Sequence, residues 1–186
     1  MFRNFVSTIL IIAAVFGMGV FVVQSNSTVP TERVSIFFSP NGGAAAAVVV
    51  ELNDAKKSLS IAAYTITHPD ISLAIIRAHE RGVKVRVIVD PTLAGASYSA
   101  ATPLMNAGIP VLVERGSGLL HHKLAIIDGK TIITGSMNWS RAGDETNSED
   151  LVIIRDKTIA ESYLEHFEKL LEKADPFERP VARSSK

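Results

Sequence analysis

Segments that alternate between strand-prone and helix-prone patterns fill most of this chain. Residues 83–89 read Val-Lys-Val-Arg-Val-Ile-Val, a period of two that is typical of a strand. Residues 44–57 instead place apolar side chains at helical spacing. The predicted strands cover 34–38, 58–67, 83–89, 111–114 and 151–155, with two more inside 119–136, and the predicted helices cover 44–57, 70–81, 99–107 and 159–173, with a loop at 92–98. This order predicts an α/β fold with a mixed, mostly parallel sheet sandwiched by helices on both faces.

The N-terminal segment predicts export. Arg3 precedes an apolar run over residues 5–23, and polar residues 24–27 follow, which is typical of a secretory signal. The run is also close to the roughly 20 residues that span a bilayer, so an uncleaved membrane anchor is the alternative. The predicted organisation is a signal peptide or anchor over 1–25, a linker over 26–33, one domain over 34–175 and a tail over 176–186. We expect a periplasmic or secreted protein, or one anchored to the outer face of the inner membrane.

The composition limits the chemistry that the chain can carry. Lys plus Arg and Asp plus Glu number 19 each, so the chain has no net charge. Any surface that binds nucleic acid must therefore be a local cluster of basic residues. The chain contains no cysteine, which excludes disulfides, thiolate zinc sites and a cysteine nucleophile.

Polar residues suited to phosphoryl chemistry lie within a predicted hairpin that turns at Asp128-Gly129-Lys130. His121 and Lys123 are two residues apart on the first predicted strand, so their side chains project from the same face. Ser136 and Asn138 follow the second strand and supply hydrogen bonds. Cleavage of a phosphodiester requires a nucleophile, positive charge beside the phosphoryl oxygens and an acid for the leaving group. His121, Lys123 and Asn138 meet the first two needs without a metal ion.

The full pattern is His121-x-Lys123-x4-Asp128-x6-Gly135-Ser136, with Asn138 two residues after the serine. It resembles the motif of the phospholipase D superfamily, and the G-S-x-N ending is similar to that of the family's small, exported, single-motif bacterial endonucleases. Further similarities occur at Phe38-Ser39-Pro40, Ala63-Tyr64, Pro69-Asp70-Ile71, Arg81-Gly82-Val83, Gly108-Ile109-Pro110 and Asn147-Ser148-Glu149. The resemblance covers roughly residues 34–173.

This resemblance implies a mechanism. In the family, one motif histidine attacks phosphorus to form a phosphohistidine, and a second protonates the leaving oxygen. Since this chain has one motif, the resemblance implies a homodimer with its site on a two-fold axis. It also implies that Glu149 hydrogen-bonds and orients the imidazole of His121, while Asp128 is better suited to a structural role than to carrying a proton. The implied catalytic residues are His121, Lys123, Asp128 and Glu149, and the implied phosphate-binding residues are Lys123, Ser136 and Asn138, with no metal and no cofactor.

Several other polar residues have simpler interpretations. His122 faces away from its neighbours on the strand, so packing or surface exposure is expected. Trp139 is as well suited to the core or an interface as to stacking on a base. Arg141 is a candidate for substrate contact. Surface positions are expected for His68, His79 and His166, and a solvated strand edge for Lys84 and Arg86.

Three functions follow from these features. The first is a nonspecific endonuclease that acts on DNA, and on RNA as a further substrate, although the neutral charge counts against it. The second is a phospholipase D that releases phosphatidic acid from phosphatidylcholine or a related lipid, with membrane association through residues 5–23. The third is a non-enzymatic binding module, which the intact motif argues against.

Overall fold

The computed structural model describes residues 32–178. The predicted signal or anchor over 1–25, most of the linker and the last residues of the tail lie outside this range. The strands are β1 Val34–Ser39, β2 Ser58–Ala63, β3 Lys84–Val89, β4 Val111–Glu114, β5 Lys123–Ile127, β6 Thr131–Gly135, β7 Glu149–Arg155 and β8 Ala174–Pro176. The helices are α1 Ala44–Asp54, α2 Pro69–Glu80, α3 Pro91–Ala94, α4 Ala101–Asn106, α5 Arg141–Glu145 and α6 Lys157–Leu171. Within residues 32–178, no helix combines the length and the apolar character needed to cross a membrane.

All eight described strands form one sheet in the order β1-β7-β6-β5-β2-β3-β4-β8. Helices cover both of its faces, as predicted. On one face, α1, α2 and α4 bury residues such as Leu52, Ile75 and Leu104 against the sheet. On the other, α6 buries Phe167 against the sheet. The α/β class and the layered arrangement are therefore confirmed.

The prediction that the sheet is mostly parallel is wrong. Among the described strands, only β2–β3 and β3–β4 pair in parallel, and the other neighbours are antiparallel. A parallel pair requires a crossover connection, which only α2 and the α3–α4 segment supply between neighbouring strands. The strand β5 enters the sheet antiparallel to β2, and a tight hairpin then adds β6.

Element boundaries differ from the predictions at several ends. The predicted helix over 44–57 stops at Asp54, and the predicted strand over 58–67 stops at Ala63. The short helix α3 occupies part of the predicted loop. The predicted hairpin is present, and Asp128 and Gly129 both adopt positive φ at its turn. Its first strand begins at Lys123, so His121 lies just before the strand.

The sheet brings the motif residues other than Asp128 to one edge, which is formed by the ends of neighbouring strands. The strand β5 begins at this edge, because Lys123 pairs with Ala63 at the end of β2. The end of β6 and the start of β7 meet there, and Glu149 pairs with Ser39 at the end of β1. The carboxyl ends of the parallel strands β2 and β3 lie at the same edge, which is where α/β sheets commonly bind ligands.

Candidate active site

His121 and Lys123 form the centre of the candidate site. The Lys123 Nζ atom donates to the carbonyl oxygen of His121 at 2.9 Å and lies 3.2 Å from its Nδ1 atom. The ring of Tyr64 lies 4.9 Å from the imidazole, centroid to centroid, and Lys123 Nζ lies 5.3 Å from the same ring. His121 is exposed to solvent while Lys123 is 6% exposed. The arrangement presents an accessible imidazole beside a buried positive charge.

Two opposing effects act on the ammonium group of Lys123. Burial lowers its pKa, and the negative charge of Glu149 partly offsets this effect. The net result is a pKa below the usual value for lysine. The nearby carboxylate therefore helps to keep a buried ammonium group charged, as binding of a phosphoryl oxygen requires.

Glu149 is held by its neighbours at the sheet edge. Ser136 Oγ donates to Glu149 Oε2 at 2.6 Å, and Asn147 Nδ2 donates to Glu149 Oε1 at 2.9 Å. Ser136 Oγ also accepts from the backbone N–H of Asp150 at 3.0 Å. Both carboxylate oxygens are thus engaged, and His121 Nδ1 faces Lys123 instead. The hydrogen bond between Glu149 and His121 that the resemblance implies is not made in this structure.

Asn138 carries a buried polar atom that a ligand could use. Its Oδ1 atom is buried and, among the described residues, has no hydrogen-bond partner. Its backbone is fixed, because its carbonyl oxygen accepts from the N–H of Ser140 at 2.7 Å. Buried polar atoms are usually paired, and an amide oxygen can only accept, so this unpaired atom offers a place for a donor group of a ligand.

Trp139 belongs to the core. Its side chain is completely buried, and its carbonyl oxygen accepts from the N–H groups of Thr67 and His68 at 2.8 Å each. The indole therefore contacts no substrate in this conformation, in agreement with the core interpretation. His68, by contrast, is not at the surface as predicted, since it is only 7% exposed and its Nε2 atom lies 3.7 Å from Asp144.

Asp128 lies at the opposite edge of the sheet from His121, since the whole of β5 separates them. Its carboxylate accepts from the backbone N–H groups of Lys56, Lys57 and Ser58 at 2.7 to 3.2 Å. Burial opposes ionisation of this carboxyl, but the hydrogen bonds outweigh burial and hold its pKa below the usual range. Asp128 therefore anchors the hairpin to the start of β2 in this structure, and a catalytic role for it stays a prediction.

Substitution of Asp128 tests this structural role. Asp128→Ala removes the acceptor and places alanine at φ 53°, so we expect a loss of about 1–3 kcal/mol in unfolding free energy at pH 7. Asp128→Asn, which tolerates this backbone conformation, is expected to lose less. Both variants keep the kcat of the folded enzyme, measured beside urea unfolding. A fall in kcat of the folded variants by two orders of magnitude would instead restore Asp128 to the site.

The stability difference between wild type and Asp128→Asn also depends on pH. The folded pKa of Asp128 is lowered, so its contribution is fully present above the unfolded pKa of about 3.9 and is lost as the pH falls through the folded value. Asparagine does not titrate, so the two proteins should become closer in stability as the pH falls below about 4.

Asp90 is a polar residue at the same edge of the sheet as His121. From the sequence it was predicted only to end a strand. It is completely buried. It accepts from the N–H of Thr92 at 2.9 Å and from the N–H of Leu120 at 2.8 Å. It therefore fixes the backbone one residue before His121. The only sequence signal was its position before Pro91, at the end of an alternating strand.

The basic residues Arg86 and Arg141 differ in their contacts. Arg86 donates to Glu168 and to Ser60, so it is tied to α6 and to the neighbouring strand. Arg141 is largely exposed and lies 3.4 Å from Glu145 within the short helix α5. A weak surface ion pair of this kind leaves Arg141 free to reorient toward a substrate.

Comparisons with known proteins identify the family of the chain. A family model described as "Cardiolipin synthase, PLD-like domain" matches residues 48–171. The chain is 39% identical over 122 residues to a mitochondrial cardiolipin hydrolase of Xenopus tropicalis, covering 66% of this chain and 58% of the relative. It is 36% identical over 141 residues to a phospholipase D of Rickettsia conorii, covering 76% of this chain and 70% of the relative.

Solved structures give the same result. The phospholipase D family member Nuc from Salmonella typhimurium superimposes with a TM-score of 0.71 at 31% identity, covering 78% of this chain and 97% of that one. NucT from Helicobacter pylori superimposes with a TM-score of 0.74 at 29% identity, covering 77% and 98%.

Proposed function

Because the chain belongs to the phospholipase D superfamily and is a phosphodiesterase of that family, we propose that it cleaves DNA as a nonspecific endonuclease, without a metal ion and through a phosphohistidine. The observation that carries this proposal is the exposed imidazole of His121 beside the buried ammonium of Lys123. The G-S-x-N form of the motif, similar to that of small bacterial endonucleases, supports nucleic acid as the substrate, with RNA as a further possibility.

The proposed reaction has two displacements. The Nε2 atom of one His121 attacks phosphorus, and the P–O bond to the leaving alcohol breaks as the P–N bond forms. A second histidine gives its proton to the leaving oxygen and then takes one from the attacking water. Water displaces the first histidine and regenerates it. Lys123 and Asn138 would stabilise the charge on the non-bridging oxygens.

We propose that a second copy of the chain supplies the second histidine. His121 is exposed at the sheet edge, so a two-fold axis beside it can bring two copies together. Glu149 could then exchange its present partners for His121 in the copy that acts as the nucleophile. A carboxylate at Nδ1 keeps a proton there and leaves Nε2 free to attack.

The second candidate is a phospholipase D that acts on phosphatidylcholine or a related phospholipid such as cardiolipin. The observation that favours it is the sequence similarity of the chain to a phospholipase D and to a cardiolipin hydrolase. The same displacement chemistry would release phosphatidic acid, because the head-group alcohol would leave as the histidine bonds to phosphorus, and water would then displace the histidine from the phosphatidyl group. The leaving alcohol is thus the single chemical difference between the two candidates.

One assay distinguishes the candidates. Purified protein in excess chelator is given plasmid DNA, RNA, phosphatidylcholine vesicles and cardiolipin vesicles in parallel. We expect nicking and degradation of DNA to continue in chelator, and we expect His121→Ala to abolish it. Lipid hydrolysis without DNA cleavage would overturn the endonuclease proposal in favour of the phospholipase, and loss of all activity in chelator would contradict metal-independent chemistry.

We further propose that the protein is exported, on the basis of Arg3 and the apolar run over residues 5–23. If the mature protein lacks residues 1–25, they form a cleaved signal. If the protein keeps these residues and is recovered in the membrane fraction, they form an anchor. Intact protein recovered only from the cytoplasm would contradict both.

A further inference from the structure

Two histidines meet on the face of the sheet opposite to Lys123. The Nε2 atoms of His122 and His166 lie 3.1 Å apart, with ring centroids 5.1 Å apart and ring planes at 68°. His122 is two residues from both Leu120 and Leu124, which pack on the α6 face of the sheet, so it projects toward the same face. His166 lies on α6 itself. The pair therefore joins the motif segment to a helix that the proposed phosphodiesterase chemistry does not use.

We propose that His122 and His166 together bind a transition-metal ion such as Zn²⁺ or Cu²⁺ through their Nε2 atoms. Imidazole nitrogens lie about 2.0–2.1 Å from a zinc ion, so two of them on a tetrahedral ion are roughly 3.3 Å apart. On a square-planar copper ion the corresponding separation is about 2.9 Å. The observed separation of 3.1 Å falls between these two values.

The surroundings of the pair leave room for the rest of a coordination shell. His166 is exposed and His122 is half-buried, so solvent reaches the gap between them. Burial lowers the pKa of His122 and the neighbouring His166 lowers it further, while the carboxylate of Glu114, at the end of β4, only partly offsets these effects. Within residues 32–178, no group of three or more His, Asp or Glu side chains is arranged to hold a metal ion. The proposed site is thus an open, two-ligand site completed by water.

Such an ion would connect two parts of the chain that are 44 residues apart. It would link the peptide between His121 and Lys123 to α6 and stabilise the folded state in proportion to its occupancy. It is separate from the proposed catalytic chemistry, which needs no metal. A hydrogen bond that shares one proton would also hold the two rings together, and a metal titration distinguishes the two arrangements.

The test is a titration of the full chain, freed of metal with chelator, with Zn²⁺ and with Cu²⁺ by calorimetry. We expect one ion per chain for wild type, and at least about tenfold weaker binding for His166→Ala, which loses one of two ligands. His166→Gln serves as a second variant that keeps a polar side chain. Electron paramagnetic resonance of the Cu²⁺ form should show two imidazole nitrogens in wild type and one in His166→Ala.

Two control variants locate the ion. His79→Ala removes a histidine from α2, and His121→Ala removes the proposed nucleophile. We expect both to bind the ion as wild type does, so the outcome does not depend on catalytic activity. Equal affinity in wild type and both His166 variants would overturn the proposal. So would the absence of binding to wild type, or binding that is lost in His121→Ala and kept in His166→Ala, since the ion would then lie at the catalytic histidine.

Discussion

His121→Ala is expected to lower phosphodiesterase activity by about 10³-fold or more on every substrate that the wild type cleaves. The substitution removes the atom that would attack phosphorus in one copy and the proton donor in the other. The imidazole is exposed, so its removal should change the unfolding free energy by less than about 0.5 kcal/mol. Initial rates under saturating substrate, together with urea unfolding, check both parts. Activity within tenfold of wild type would contradict a histidine mechanism.

Mixed dimers extend this test to the shared site. His79→Ala is the matched control, because it removes a histidine from α2 and should keep full activity. If each site needs both copies of His121, random reassociation of equal amounts of wild type and His121→Ala leaves about one quarter of the activity of an all-wild-type sample. A self-contained monomer would instead keep about half. A monomeric protein with full activity would contradict the dimeric site.

Features of the site that depend on local geometry could be predicted from the sequence. His121 and Lys123 are two residues apart in extended backbone, so their proximity follows from the geometry of the chain. The turn at Asp128-Gly129 was predictable for a similar reason, since these residue types tolerate the positive φ that the hairpin requires. The spacing of the motif also indicated Ser136 and Asn138 as candidate site residues.

Features that depend on distant partners could not be predicted. Asp90 binds the N–H of Leu120 because β3 and the segment before β5 end at the same edge of the sheet. The pairing of β1 with β7 likewise depends on strand order, which no local pattern records. His122 and His166 are separated by 44 residues, and each one alone is an ordinary polar residue on its element. Apolar periodicity identifies strands and helices but leaves the neighbours of each strand open.

Gly135→Ala is expected to cost about 2–4 kcal/mol of unfolding free energy and about 10²-fold in activity. Gly135 has a φ of 143°, and an added Cβ would lie 2.3 Å from the carbonyl oxygen of Asp150. That oxygen already accepts from the N–H groups of Ser136 and Met137 at 3.1 and 3.2 Å. The clash is with backbone, so it cannot be relieved by a side-chain rotation. Separating β6 from β7 would move Ser136 away from Glu149 and displace Asn138 from the site.

Two other glycines separate strain from steric clash. Gly129→Ala adds a Cβ at positive φ in open space, so it should lose only about 1–2 kcal/mol, from left-handed strain. Gly118 has neither a positive φ nor an atom within 4 Å of the added Cβ, so Gly118→Ala should be close to neutral. The unfolding free energies of the three variants are compared by urea unfolding. Their kcat values are compared at temperatures where each variant is folded. Gly135→Ala could prove to lower the unfolding free energy no more than Gly129→Ala does. In that case β6 and β7 can separate without loss of stability, and the close approach of these strands does not position the phosphate-binding residues.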